Sequence, residues 1–143
     1  MRAVTGGKVT DIGLITAANG ASAISAAIDF TGSRTVNVTA GGDTLALSGN
    51  LAIAAAGTVT KTGSGLLTIT GAQNHGAGTT LAATAGTVTM NTNGGLNLTV
   101  SGSDAVLFNF GAAQNLGGLK ATTNSTPTVA SDYAVATGIF QIG

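Results

Sequence analysis

The chain has 143 residues, enough for one domain of ordinary size, but its composition is far from that of an average globular protein. Charged residues make up 7% and aromatic residues 3%, whereas 43% are hydrophobic and 23 are glycine. This hydrophobic content argues against a disordered chain. The formal net charge is zero, without a basic patch or aromatic platforms, which argues against nucleic-acid binding. Cysteine is absent, which excludes disulfides and thiolate metal sites.

The first 27 residues show the weakest strand pattern. Residues 11–15 (DIGLI) predict a first strand. Beyond it, Ile24 and Ile28 lie four positions apart, which is the spacing of one helical face. We therefore predict that residues 1–27 form an N-terminal cap, with a short helix or an irregular segment over Ala17–Ala27, since Asn19-Gly20 also favours a turn.

From Ile28 onward, aliphatic residues alternate with Thr, Asn or Ser, which is the period of a strand with one buried face. Threonine suits the outer face because its branched side chain fits a pleated surface. Each run is too short to bury a core alone, so the runs must stack as coils. The predicted strands are 28–30, 35–39, 44–48, 50–53, 58–61, 66–70, 79–81, 87–90, 96–100, 105–110, 133–135 and 139–142.

Short motifs recur along the chain. Leu45-Ala-Leu-Ser-Gly49 aligns with Leu67-Thr-Ile-Thr-Gly71 and with Leu98-Thr-Val-Ser-Gly102, and we expect the three leucines to occupy equivalent places. Gly57-Thr-Val-Thr60 returns as Gly86-Thr-Val-Thr89. The unequal intervals fit a solenoid whose coils carry turns of different length. We expect an enlarged turn at Ala72–Gly78, which follows the motif Leu67–Gly71.

The middle of the chain carries the most specific pattern: Gly57-Thr-Val-Thr-Lys-Thr-Gly-Ser-Gly65, Leu67-Thr-Ile-Thr-Gly71, Gly78-Thr-Thr-Leu81 and Ala85-Gly-Thr-Val88. This stretch resembles the autotransporter-associated β-strand repeat of bacterial surface passengers. That family often has an aromatic residue in the turn where His75 stands here. The resemblance implies a right-handed parallel β-helix outside a Gram-negative-type cell, and it carries over no catalytic residue.

We predict an all-β fold: one right-handed parallel β-helix (a β-solenoid) of about five to six coils over residues 28–121. Residues 1–27 form the cap, and residues 122–143 form a linker and terminal strands within the same single domain. A β-sandwich of short antiparallel strands is the alternative, because Asn93-Gly94 could form a hairpin between Met90 and Leu96.

No pattern predicts a catalytic, cofactor or metal site. His75 could act as a base only if folding brought Ser64 or Asp43 beside it, and a solvated turn residue is the favoured interpretation. Gly41-Gly42-Asp43 resembles half of a calcium-binding nonapeptide, but calcium needs about six to eight oxygens, so we predict a turn. Dispersed Asp residues and the lack of Glu argue against the paired carboxylates of glycoside hydrolysis.

Three segments match the N-glycosylation pattern, at Asn37-Val-Thr39, Asn97-Leu-Thr99 and Asn124-Ser-Thr126. Such matches arise by chance in a Thr-rich chain. We expect Asn37 and Asn97 either to face outward or to join a ladder of like amides between coils.

These observations predict a structural or adhesive protein at the bacterial cell surface, and no enzyme. A surface rich in Thr, Ser, Asn and Gly suits a secreted protein, and we expect that a signal peptide was removed or that the chain is an excerpt. No membrane insertion is expected, because no run approaches the roughly 20 apolar residues of a spanning helix.

The predicted protein is a segment of a surface passenger or a subunit of a self-assembling filament. Its expected partners are other copies of the chain, through end-to-end stacking or exchange of the segment 122–143. Within that segment, Pro127 and the Thr/Ser/Asn run before it resemble a linker to a final pair of strands. Cell-surface glycans are a further candidate partner. The alternative function is a β-helical carbohydrate-active module that binds or cleaves polysaccharide, since enzymes also use this fold.

Overall fold

A computed structural model describes residues 7–10, 13–103, 106–121, 128–129 and 139–141. These residues form sixteen β-strands and, among them, no helix. The strands are β1 Lys8–Thr10, β2 Leu14–Ala17, β3 Ala21–Ile24, β4 Ala27–Phe30, β5 Arg34–Val38, β6 Thr44–Leu47, β7 Leu51–Ile53, β8 Thr58–Thr62, β9 Leu66–Ile69, β10 Thr79–Ala83, β11 Thr87–Met90, β12 Leu98–Gly102, β13 Leu107–Phe110, β14 Gly118–Ala121, β15 Thr128–Val129 and β16 Ile139–Gln141.

The strands form three parallel sheets, which the chain visits in turn. The short face is ordered β1-β4-β7, the seven-strand face β2-β5-β8-β10-β12-β14-β16, and the six-strand face β3-β6-β9-β11-β13-β15. After β7 the short face continues as irregular backbone, joined to β7 by an isolated bridge from Leu51 to Gln73. The architecture is a β-solenoid of about five turns, which confirms the predicted fold class.

The core is a stack of side chains that point into the coils. Along the six-strand face, Leu45, Leu67, Val88 and Phe108 pair directly from strand to strand, and all four are buried. Outward positions on the same strands are half-buried or exposed. The two-residue period of the sequence therefore assigns the inner and outer faces correctly over this stretch.

The prediction of a helix over Ala17–Ala27 is wrong, because this segment contains β3 and the adjoining ends of β2 and β4, which belong to the coils of the solenoid. Ile24 lies on β3 of the six-strand face, whereas Ile28 lies on β4 of the short face, so both are buried on different sheets. Asn19 and Gly20 adopt positive φ angles of 62° and 107° and form the corner between β2 and β3. The turn signal, and not the spacing of the isoleucines, is therefore correct.

The repeat alignment is correct in one part and wrong in the other. Leu67 pairs with Leu45 on the six-strand face, as predicted, but Leu98 lies on the seven-strand face and pairs with Thr79. The two Gly-Thr-Val-Thr motifs are also on different faces, since Thr58 begins β8 and Thr87 begins β11. Both faces use the same alternation of threonine and aliphatic residues, so local similarity does not identify the face.

The antiparallel sandwich is wrong. Each strand pair among the described residues is parallel, and Met90 and Leu98 belong to β11 and β12, which lie on different faces. A hairpin at Asn93-Gly94 would have required those strands to pair with each other. The predicted strand 133–135 and most of the linker in 122–143 lie outside the described residues. The described part of this segment, β15 and β16, extends the six-strand face and the seven-strand face.

Candidate functional site

A cluster of polar side chains replaces strand pairing where the short face becomes irregular. Gln73 Nε2 donates to the carbonyl oxygen of Thr92 at 2.9 Å and to its hydroxyl at 3.1 Å. One coil further, Gln114 Nε2 donates to the same carbonyl at 3.0 Å, and its Oε1 accepts from the Gly94 amide at 2.9 Å. We call Gln73, Thr92 and Gln114 the amide cluster. Its side chains satisfy backbone groups that a β-strand would otherwise pair.

His75 adjoins the amide cluster and is only 5% exposed, so the prediction of a solvated turn residue is wrong. Its Nε2 lies 3.1 Å from Gln73 Oε1. Because an amide oxygen only accepts hydrogen bonds, Nε2 carries the proton and Nδ1 holds the lone pair. Nδ1 is buried and has no hydrogen-bond partner among the described residues. Burial lowers the pKa of His75 to about 4, so the imidazole is neutral at pH 7.

The residues that could have activated His75 are held by other partners. Ser64 is exposed and its hydroxyl donates to the Thr39 carbonyl at 3.4 Å. Asp43 is buried and accepts from the backbone amides of Gly20 at 2.7 Å and Ala40 at 2.9 Å. These bonds do not assemble a nucleophile, base and orienting carboxylate around the imidazole.

Asp43 instead stabilises a corner of the solenoid. Its carboxylate joins the turn that contains Ala40 to Gly20 in the preceding coil. The hydrogen bond from the Gly20 amide, reinforced by that from Ala40, lowers the pKa of this carboxyl. The turn interpretation of Gly41-Gly42-Asp43 is therefore confirmed. The described part of the chain holds no group of three or more His, Cys, Asp or Glu residues suited to a metal ion.

Lys61 is a polar core residue that sequence reasoning missed. It lies on β8 with its side chain fully buried, and its ammonium donates to the carbonyls of Gly63, of Gly65 at 2.6 Å and of Ala85 at 2.8 Å. Burial lowers its pKa to about 8. The sequence signal for this burial was the alternation in Thr58-Val-Thr-Lys-Thr62, which places Lys61 on the same inward side of the strand as Val59.

Among the described residues, the space beside His75 is too small for a ligand. A void of about 10 Å³ lies among Leu67, Ile69, Gln73 and His75. A space of this size holds at most one water molecule, and a sugar ring or a cofactor is far larger. His75 therefore contributes to the packing of the coils, and the described core around it is filled.

The two described asparagines of the glycosylation patterns bond to unlike partners. Asn37 Oδ1 accepts from the Thr62 hydroxyl at 3.2 Å, and Asn97 Nδ2 donates to the His75 carbonyl at 2.8 Å. Both side chains are at least partly exposed, as one of the two expectations stated. Neither pairs with a like amide, and Asn124 lies outside the described residues.

The fold and these contacts define the chain as a parallel β-solenoid with polar corner residues. Comparison with protein-family models, with curated proteins and with solved structures found no match to the chain. Among the described residues, no helix is long and apolar enough to cross a membrane.

Proposed function

We propose that the chain is an extracellular structural element, either a segment of a bacterial surface passenger or a subunit of a surface filament. The single observation that carries this proposal is the run of parallel ladders, seven strands long on one face and six on another. Backbone hydrogen bonds then run along the rod axis, and they resist extension together. The repeat-like stretch Gly57–Met90 supports a location on the cell surface by resemblance.

The first coil supports the proposal of assembly with other copies. β1, β2 and β3 each stand at the end of their sheet, with one paired neighbour among the described strands. An end strand of this kind offers backbone donors and acceptors to a further strand. A second copy that continues the ladders would make a head-to-tail contact, which repeats without closing and gives a filament.

The backbone amide of Thr16 is the best point at which to test this assembly. Ala17 is bonded toward β5, because its carbonyl accepts from the Thr39 amide at 3.0 Å. Alternate residues of a parallel strand bond to opposite neighbours, so the amide of Thr16 points to the free edge. Proline at this position removes that donor and leaves the bonds to β5 in place.

We expect the wild-type chain to form rods that lengthen with concentration, measured by analytical ultracentrifugation and negative-stain electron microscopy. Thr16→Pro should remain a monomer with an unchanged far-ultraviolet spectrum. Thr16→Val is the matched control, because it keeps the amide and the side-chain shape and should assemble like the wild type. A wild-type chain that stays monomeric at millimolar concentration would refute filament formation.

We do not propose the carbohydrate-active alternative. A cleavage site would place Asp and Lys side chains around His75, whereas the described hydrogen-bond partner of its imidazole is Gln73. Asp43 and Lys61 are bound to backbone groups at other corners.

A further inference from the structure

The outer side of the seven-strand face carries threonine hydroxyls in register. Thr58, Thr80 and Thr99 pair directly across β8, β10 and β12 and form one column. Thr35 and Thr60 pair across β5 and β8 and begin a second column beside it. We call these five residues the hydroxyl grid.

The grid has fixed spacings in two directions. Adjacent strands of a sheet lie about 4.8 Å apart, and alternate residues such as Thr58 and Thr60 are separated by about 6.6 Å along a strand. Threonine has few χ1 rotamers, so each hydroxyl and each methyl group keeps its position. The ladders on both sides of β8 and β10 hold the columns in line.

The hydroxyls of the grid have no partners in the part of the chain that the structure describes. None of the five makes a side-chain hydrogen bond to another described residue, whereas Thr79, which points inward from β10, donates its hydroxyl to the Asn97 carbonyl at 3.0 Å. All five grid residues are half-buried at the surface. Their donors and acceptors are therefore directed to the outside.

The outer side of the six-strand face has no column of three threonines among the described strands, although Thr68 pairs with Thr89 in one of its columns. Its corresponding column reads Thr44, Leu66, Thr87 and Leu107, so that leucine interrupts the hydroxyls at every second strand. The unbroken column of Thr58, Thr80 and Thr99 is therefore specific to the seven-strand face and does not simply reflect the high threonine content of the chain.

We propose that the hydroxyl grid binds the surface of ice. One hydroxyl contributes only about 0.5–1.5 kcal/mol net to a bound partner, so a single sugar or peptide would gain little. A crystal engages the whole grid at once, and the separate contacts then add as in multivalent binding. Ice is an uncharged lattice whose oxygen atoms donate and accept hydrogen bonds, and they repeat at nearly the strand spacing. Its chemistry therefore matches a neutral grid of hydroxyl and methyl groups.

The test measures thermal hysteresis, the gap between melting and freezing points of a seeded crystal, together with crystal shaping. We expect hysteresis for the wild type and at least a fivefold loss for Thr80→Tyr, which places a bulky ring in the grid. Thr68→Tyr is the matched control, since it makes the same change at an outward position of the six-strand face, and it should keep the wild-type value. Thermal unfolding followed by circular dichroism verifies folding, and Thr58→Lys replaces Thr80→Tyr if that variant unfolds.

A gain-of-function variant tests the register. Ala82 interrupts the second column, where it pairs with Thr60 on one side and with Ser101 on the other. Ala82→Thr should raise the hysteresis above the wild-type value. The proposal is overturned if the wild type shows no hysteresis, if Thr68→Tyr loses as much as Thr80→Tyr, or if folded Ala82→Thr shows no gain. Binding to crystalline cellulose or chitin without hysteresis would overturn it in favour of a polysaccharide.

Discussion

Two adjacent leucines on β9 give the sharpest test of the coil packing. Leu67 is 1% exposed and pairs with the inward residues Leu45 and Val88 of the coils on either side. Leu66 precedes it on the same strand but points outward and is half-buried. Substituting each by alanine therefore makes the same chemical change on opposite faces of one strand.

The expected cost of Leu67→Ala follows from its surroundings. Leucine-to-alanine changes in protein cores cost about 2.7–5 kcal/mol, and the cost is larger where the site cannot collapse. Here the ladders hold the neighbouring strands apart, and the site already adjoins a void. We expect a loss of about 4 kcal/mol in the free energy of unfolding for Leu67→Ala. Leu66→Ala should cost less than about 1 kcal/mol, as is usual for surface positions.

Urea unfolding followed by circular dichroism measures both changes on one scale. A domain of this size has a free energy of unfolding of roughly 7–20 kcal/mol, so both variants should remain folded without urea. The midpoint for Leu67→Ala should fall well below that for Leu66→Ala at similar slopes. Equal midpoints for the two variants would refute the assignment of inner and outer faces.

Three further outcomes are expected. Ile69→Asp should unfold the rod because it buries a carboxylate, whereas Thr68→Lys on the outer face should leave the circular dichroism spectrum unchanged. The free energy of unfolding should fall by about 3 kcal/mol from pH 6.5 to pH 4, because in this range the imidazole of His75 binds a proton in the unfolded chain but not in the folded one. The variant His75→Gln should lose this pH-dependent contribution. Gly71→Ala should lower the melting temperature sharply, because its Cβ would lie 1.8 Å from a backbone oxygen, unlike Gly42→Ala, which faces open space.

The regular part of the fold was predictable from sequence. The alternation of aliphatic and hydroxyl residues through Leu45-Ala-Leu47 and Leu67-Thr-Ile69 fixes both the strands and their buried side. What alternation does not encode is the face on which a strand lies. Leu98 and Leu67 stand in similar local sequences, and the lengths of the intervening corners decide which sheet each joins.

The polar interior was much less predictable. His75 and Lys61 lie near glycines, where polar residues usually face solvent. Lys61 is buried because carbonyls of its own corner and of Ala85 surround its ammonium. His75 is buried because Gln73 occupies the neighbouring place on the irregular face. Gln73, Gly63 and Gly65 are close in sequence to the residues they contact, but the burial of both side chains also depends on neighbouring coils, such as that of Ala85, which local sequence does not show.

The ammonium of Lys61 makes one coil depend on its successor. Two of its acceptors, Gly63 and Gly65, follow it within the same corner, but the third belongs to Ala85 in the next coil. Until the coil that contains Ala85 has formed, the ammonium lacks this acceptor and is hydrated by water instead. At this corner, therefore, the burial of Lys61 is completed only when the following coil closes over it.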